Sequence, residues 1–170
     1  REPAAPPAPP AQAAVFPAVS APPERRPFSL LLESLRAREN ALAAQRSWRK
    51  RGLSPYLVQA ELGEKGTWWR LLLGAYRSLP EALAARRELG IDAAVPVKTP
   101  FGNLVGEFSD PQEAAVLRER LAARGWDPYL LEESGRPLRV FVGAFADTAS
   151  AEKQRRELGA QGIEARTVPR

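Results

Sequence analysis

Trp68-Trp69-Arg70-Leu71-Leu72-Leu73-Gly74-Ala75-Tyr76 decides the fold of this chain. An apolar run that ends in glycine reads as a strand followed by a turn. The pattern recurs 69 positions on as Leu138-Arg139-Val140-Phe141-Val142-Gly143-Ala144-Phe145. Arg, three apolar residues, Gly, Ala and an aromatic keep their order. The same offset then carries Arg86-Arg87-Glu88-Leu89-Gly90 onto Arg155-Arg156-Glu157-Leu158-Gly159. A match that long marks an internal duplication. Side chains alternate along a strand, so Trp68, Arg70 and Leu72 share one face and Trp69, Leu71 and Leu73 the other.

Upstream of this strand, Phe28-Ser-Leu-Leu-Leu-Glu-Ser-Leu35 is short, apolar and bounded by Pro27, which suits a buried strand. Its twin, 73 positions on, is Phe101-Gly-Asn-Leu-Val-Gly-Glu-Phe108. A helix is expected over 37–51, with Ala41, Ala44 and Trp48 on its apolar face and Gly52 as its left-handed end. The twin helix has Asp110 as cap, Pro111 in the first turn and Glu113 to complete a capping box. Leu117 and Leu121 supply its apolar face, and Gly125 ends it. Strands opening with proline follow at 55–58 and 128–131. Turns come next, at Gly63-Glu64-Lys65-Gly66 and Glu133-Ser134-Gly135. The second connection is four residues shorter, which is why the offset drops from 73 to 69.

Downstream, Ser78-Leu79-Pro80-Glu81 starts a helix with a capping box, Ala82, Ala85 and Leu89 face its core, and Gly90 stops it. Asp147 starts the twin helix. Final strands are expected at 93–97 and 163–168. Each repeat therefore reads strand–helix–strand–strand–helix–strand. The fold class is α+β, with two ferredoxin-like or RNP-like βαββαβ domains. Each domain is a four-stranded antiparallel sheet with two helices on one face. The other sheet face is expected to be open, as a binding platform. Residues 28–98 form the first repeat and 99–170 the second, more degenerate one. Residues 1–27, with nine prolines and eight alanines, read as an extended linker; within them Val15, Phe16 and Val19 could dock locally.

The chain has neither Cys nor His. That removes disulfides, thiol nucleophiles, imidazole bases and His/Cys metal sites. The carboxylates are scattered over helices rather than paired across a cleft, so no enzyme, cofactor or metal site is expected. No apolar run approaches the roughly 20 residues of a membrane span. The chain begins at Arg1 and has no Met, so it reads as a processed piece, with any signal or membrane anchor outside it. The net charge of +5 is concentrated in residues 28–98, which have twelve basic and seven acidic residues. Residues 99–170 have ten and eleven.

Both repeats resemble SPOR domains, the sporulation-related repeat of bacterial envelopes. The resemblance rests on Glu33-Ser34-Leu35 at the end of the first strand and Gly52-Leu53-Ser54-Pro55-Tyr56 at the second. It also rests on Trp68-Trp69-Arg70 through Tyr76 and on Leu89-Gly90. The resemblance implies a non-catalytic, periplasmic peptidoglycan-binding module, with denuded glycan strands as its ligand and the division septum as its place. Envelope or divisome proteins are implied as further partners. The family's binding pattern places Gln and Ser on the first strand and Trp and Arg on the third. Ser34, Trp68 and Arg70 match that pattern, and Leu31 stands at the Gln position. Tyr56, Leu72 and Arg139 are secondary candidates. In the second repeat only Arg139 matches. Leu104, Glu107 and Pro137 replace Gln, Ser and Trp.

The chemistry of Trp68 and Arg70 supports this independently of the resemblance. An indole stacks on the C–H face of a sugar, and a guanidinium donates to its hydroxyls. Two other readings compete. One is a protein-interaction adaptor whose degenerate repeats dock on a partner or on each other. The other is an RNA-recognition-like nucleic-acid binder. That reading is disfavoured because Arg70, Leu72 and Leu31 stand where it needs aromatics, so no nucleic-acid partner is expected.

Overall fold

The computed structural model describes residues 22–170; the greater part of the linker, with Val15, Phe16 and Val19, lies outside them. The first unit contains β1 (Phe28–Leu35), α1 (Arg38–Lys50), β2 (Tyr56–Glu61), β3 (Thr67–Tyr76), α2 (Leu79–Glu88) and β4 (Val95–Lys98). The second contains β5 (Phe101–Phe108), α3 (Pro111–Ala123), β6 (Tyr129–Leu131), β7 (Leu138–Phe145), α4 (Thr148–Ala160) and β8 (Arg166–Pro169). The sheets are ordered β2-β3-β1-β4 and β6-β7-β5-β8, with every pairing antiparallel. These are two βαββαβ units, as the duplication requires.

Local chemistry explains most element boundaries. Gly52, at φ 83°, and Gly90, at φ 66°, stop the helices before them. Ser78 Oγ accepts from Glu81 N at 3.3 Å, and Glu81 accepts in turn from the Arg77 N–H at 2.7 Å. The box expected at α3 forms differently: Asp110 accepts from Gln112 N at 2.9 Å. The β2–β3 connection is a 3₁₀ turn over Gly63–Lys65 rather than a tight hairpin. The last strand of each unit starts two or three residues later than expected, because the preceding helix is followed by an extra turn that buries Ile91 and Ala94 in the first unit.

The glycine of the repeated motif is a bulge. Between Phe28↔Tyr76 and Leu30↔Leu73 the ladder slips, and Gly74 sits there at φ 70°. Gly143 does the same in β7 at φ 77°. A bulge at positive φ turns the carbonyl out of the ladder. Each carbonyl is met by a tyrosine: Tyr56 OH donates to Gly74 O at 2.8 Å, and Tyr129 OH to Gly143 O at 2.7 Å. The next-but-one aromatic, Tyr76 or Phe145, fills the space a Cβ would need. This is the physical content of the Gly-Ala-aromatic motif.

Helix-side cores lie where alternation puts them. Leu30, Leu57, Leu71 and Leu73 pack under α1 and α2, and Val140, Val142, Leu121 and Leu158 under α3 and α4. The opposite sheet faces are not open. Tyr56, Val58 and Leu72 of the first unit share one buried cluster with Leu104, Tyr129, Leu131 and Phe141 of the second. The two platforms cover each other. The reason is compositional: leucines and aromatics on both faces of a sheet leave apolar surface that water does not solvate well.

Candidate functional site

Arg170 lies at the centre of the covered faces. It is 1% exposed. Nε donates to Thr99 O at 2.6 Å, and Nη1 to the hydroxyls of Tyr56 at 3.0 Å and Tyr129 at 3.4 Å. Nη2 donates to Ser29 Oγ at 2.6 Å and to Thr99 Oγ1. These contacts account for the five N–H donors of a guanidinium, and no carboxylate is among the acceptors. Ser29 Oγ, Tyr56 OH and Gly74 O stand mutually within 2.7–2.8 Å. Tyr56 stacks on Tyr129 with ring centroids 3.9 Å apart. Burial pushes the Tyr129 phenol well above its usual range, against the pull of Arg170. It therefore stays protonated and remains a donor to Gly143 O.

A second polar junction closes the free edge of β2. Asp127 Oδ2 accepts from Leu57 N and from Gln45 Nε2, both at 2.6 Å, and Gln45 also donates to Pro55 O at 3.0 Å. Arg49 lies 3.9 Å from the same carboxylate. Burial pushes the Asp127 carboxyl above the ordinary carboxylate range, and the Leu57 N–H, Gln45 and Arg49 pull it down only in part. The sign follows. A carboxyl with a raised folded pKa binds its proton more tightly folded than unfolded. Its contribution to stability is therefore full below the unfolded pKa and is lost as pH rises through the folded one. Asp127→Asn does not titrate. Wild-type stability relative to this variant should rise as pH falls through the carboxylate range, measured by urea unfolding from pH 7 downward. A relative stability that falls on acidification would show that the hydrogen bonds outweigh burial.

The linker end is tied in as well. Residues 22–27 have no helix or strand. Pro27 O accepts from Thr99 N at 2.7 Å, and Glu24 N donates to the Glu133 carboxylate at 3.2 Å. Glu24 also pairs with Arg77 at 3.0 Å.

The candidate binding residues divide into two sets. Leu31, Tyr56 and Leu72 belong to the shared cluster or pack against it. Arg139 is 6% exposed, opposite Glu107 and with its guanidinium 5.4 Å from the Phe141 ring centroid. None of these four is presented to solvent as a platform residue. Ser34, Trp68 and Arg70 stand apart at the far end of the first sheet. Ser34 is directly opposite Arg70, which is also opposite Val58, and Trp68 is opposite Ala60. Ser34 is exposed; Trp68 and Arg70 are half-buried. Arg36 lies over the Trp68 ring at 4.6 Å, and Trp68 Nε1 donates to Lys65 O at 3.0 Å. Among the described residues, Arg70 Nε is the one buried side-chain polar atom with no hydrogen-bond partner. Buried donors are seldom left so.

Sequence reasoning missed Ser29, Gln45, Asp127 and Arg170. Gln45 carried a signal, being a polar residue one turn from Ala41 on the helix's apolar side. The others carried none. Among the described residues, no group of His, Cys, Asp or Glu could hold a metal, and no helix is long and apolar enough to cross a membrane. The family model described as SPOR domain matches residues 24–96, from the end of the linker into β4 of the first unit. No curated protein and no solved structure matches.

Proposed function

Because residues 24–96 match the family model described as SPOR domain, we propose that this chain is a non-catalytic peptidoglycan-binding module of the bacterial cell envelope. It reads glycan strands stripped of their peptides, in the periplasm and at the division septum. One observation carries the choice of site. Trp68, Arg70 and Ser34 lie side by side at the end of the first sheet, and Trp68 takes no part in the apolar cluster that joins the units. There the indole offers a stacking surface to a sugar ring, the half-buried guanidinium supplies donors to its hydroxyls, and Ser34 supplies a hydroxyl beside it. The second unit contributes the surface that covers the rest of the first sheet, and its Glu107 and Pro137 supply no equivalent of Ser34 and Trp68.

Co-sedimentation of the purified chain with sacculi, before and after amidase removal of peptides, tests this reading. Binding should increase on the treated sacculi. Trp68→Ala should weaken it by roughly 1–3 kcal/mol, the worth of a stacking platform. Arg70→Ala should cost less, about 0.5–1.5 kcal/mol, because its hydrogen bonds compete with water. Retention unchanged by Trp68→Ala would remove the site from the first sheet's end.

A second reading has its own support. The two sheet faces occupy each other, with Tyr56 on Tyr129 and Arg170 between them. That is how an adaptor of mutually docked repeats would be built. Under it, envelope or divisome proteins are the partners, and the chain leaves treated and untreated sacculi equally unbound.

A further inference from the structure

The units meet along a second line, on the helix side of the first sheet. There a cleft of about 320 Å³ runs between α1 and the β2 edge on one wall, and the end of α3, β7 and α4 on the other. Each unit contributes a tryptophan, Trp69 from β3 and Trp126 from the turn after α3. Trp126 Nε1 is already spent on Gln161 at 3.0 Å, and its ring packs in part against the core under α3 and α4, so what this indole has left to offer is the part of its ring that lines the cleft. Arg38 bridges the walls: its guanidinium is 5.6 Å from the Trp69 ring centroid, and Nη2 donates to Gly125 O at 3.1 Å.

The charges in the lining cancel. Lys153 pairs with Glu61 across the cleft, Arg49 stands 3.9 Å from Asp127, and the lining's remaining charges, Arg38 and Glu157, are one of each sign. A cleft with no net charge does not select an ion. What remains is a set of neutral hydrogen-bonding groups, the amides of Gln59 and Gln154 and the hydroxyl of Ser150, around apolar surface from Leu42, Val142 and Phe145. Two indoles with amides and a hydroxyl at the rim match a neutral ligand that has flat C–H faces edged by hydroxyl and acetamido groups. The volume suits a small ligand.

We infer that this cleft is a second saccharide-binding subsite, built jointly by the two units and present only while they are docked. The inference rests on the glycan-binding reading above for its ligand. It is spatially separate from the end of the first sheet: Trp68 and Trp69 are adjacent in β3 and therefore project from opposite faces. A strand that touches both would have to pass the β2 edge, where Ala60 and Gln59 lie opposite the two tryptophans.

The test is calorimetric titration of the full chain with peptide-free glycan oligomers released from amidase-treated sacculi. The variants are Trp68→Ala, Trp126→Ala and Gln59→Ala. Gln59 is exposed on an edge strand, so this substitution keeps the fold even if Trp126→Ala does not. Two binding events per chain are expected. Gln59→Ala should weaken one of them about fivefold, and Trp126→Ala roughly tenfold or more, while Trp68→Ala leaves that event intact. A single event abolished by Trp68→Ala and untouched by Gln59→Ala would overturn the cleft site and leave the glycan-binding reading standing. No event in the wild type would overturn both.

Discussion

Gly143→Ala is expected to lower the stability of the chain by roughly 2–5 kcal/mol, the sum of a left-handed backbone and an overpacked core. The residue sits at φ 77°, which costs an L side chain about 1–2 kcal/mol. The new Cβ would also fall deep within contact distance of Gln154 Oε1 and the Phe145 ring, with Phe145 Cζ at 2.8 Å. Neither neighbour gives way easily. Phe145 is 7% exposed, and Gln154 is held by Asn103 Nδ2 at 2.9 Å. Gly52→Ala is the control, since Gly52 has φ 83° and nothing within 4 Å of a Cβ. It should show the backbone cost alone. Gly74→Ala should fall between them, because the half-buried Tyr76 can swing aside. Urea unfolding of the three variants gives the order directly. Equal costs at Gly143 and Gly52 would mean that the bulge is not packed as described.

Tyr129→Ala should cost roughly 3–5 kcal/mol, the range for emptying a buried aromatic site. The ring touches Tyr56 at 3.9 Å and Phe141 at 5.9 Å between centroids, and its hydroxyl serves Gly143 O. Tyr129→Phe removes only the hydroxyl and should cost about 1–3 kcal/mol, because it leaves that carbonyl unmet. Tyr56 belongs to the other unit, so a double-mutant cycle of Tyr56→Ala and Tyr129→Ala reads the contact between units. A coupling of about 0.5–1.5 kcal/mol is expected from the stacked pair. Strict additivity would show that the rings do not meet.

The duplication made the fold legible. Once Trp68–Tyr76 is aligned with Leu138–Phe145, every helix and strand finds its twin, and alternation assigns the helix-side cores of the strands correctly; the expected stripe of α2 holds at Ala82, whereas Leu89, just past the helix end, is 43% exposed. The bulge glycines were legible only as turns, because a bulge and a strand-ending turn leave the same Gly in the sequence. The docking of the two sheets had a trace. Leu31 and Leu104 stand where a binding face would hold polar residues, and Leu72 and Phe141 lie beside them on the same faces. Apolar residues on a face assumed to be solvated signify a partner surface, here the second repeat. Arg170 had no trace. A single arginine after a short strand looks like any solvated end, and only the approach of Ser29, Tyr56, Thr99 and Tyr129 from distant parts of the chain makes it a buried donor hub. The candidate site was legible in part: Ser34, Trp68 and Arg70 are adjacent as alternation and pairing require, the apolar Leu31 and Leu72 gave a trace of the surface that covers them, and the burial of Tyr56 and Arg139 is set by tertiary packing that no local pattern encodes.

Backbone amide NMR of the full chain during titration with peptide-free glycan oligomers tests most directly whether the chain binds glycan with its sheets docked. Shifts should concentrate at Ser34, Arg36, Trp68 and Arg70 and along the inter-unit cleft, while Leu31, Tyr56, Leu72, Leu104, Tyr129 and Phe141 keep their positions. Large shifts across that second set would mean that the units part to bind glycan on their sheet faces, and would contradict the account.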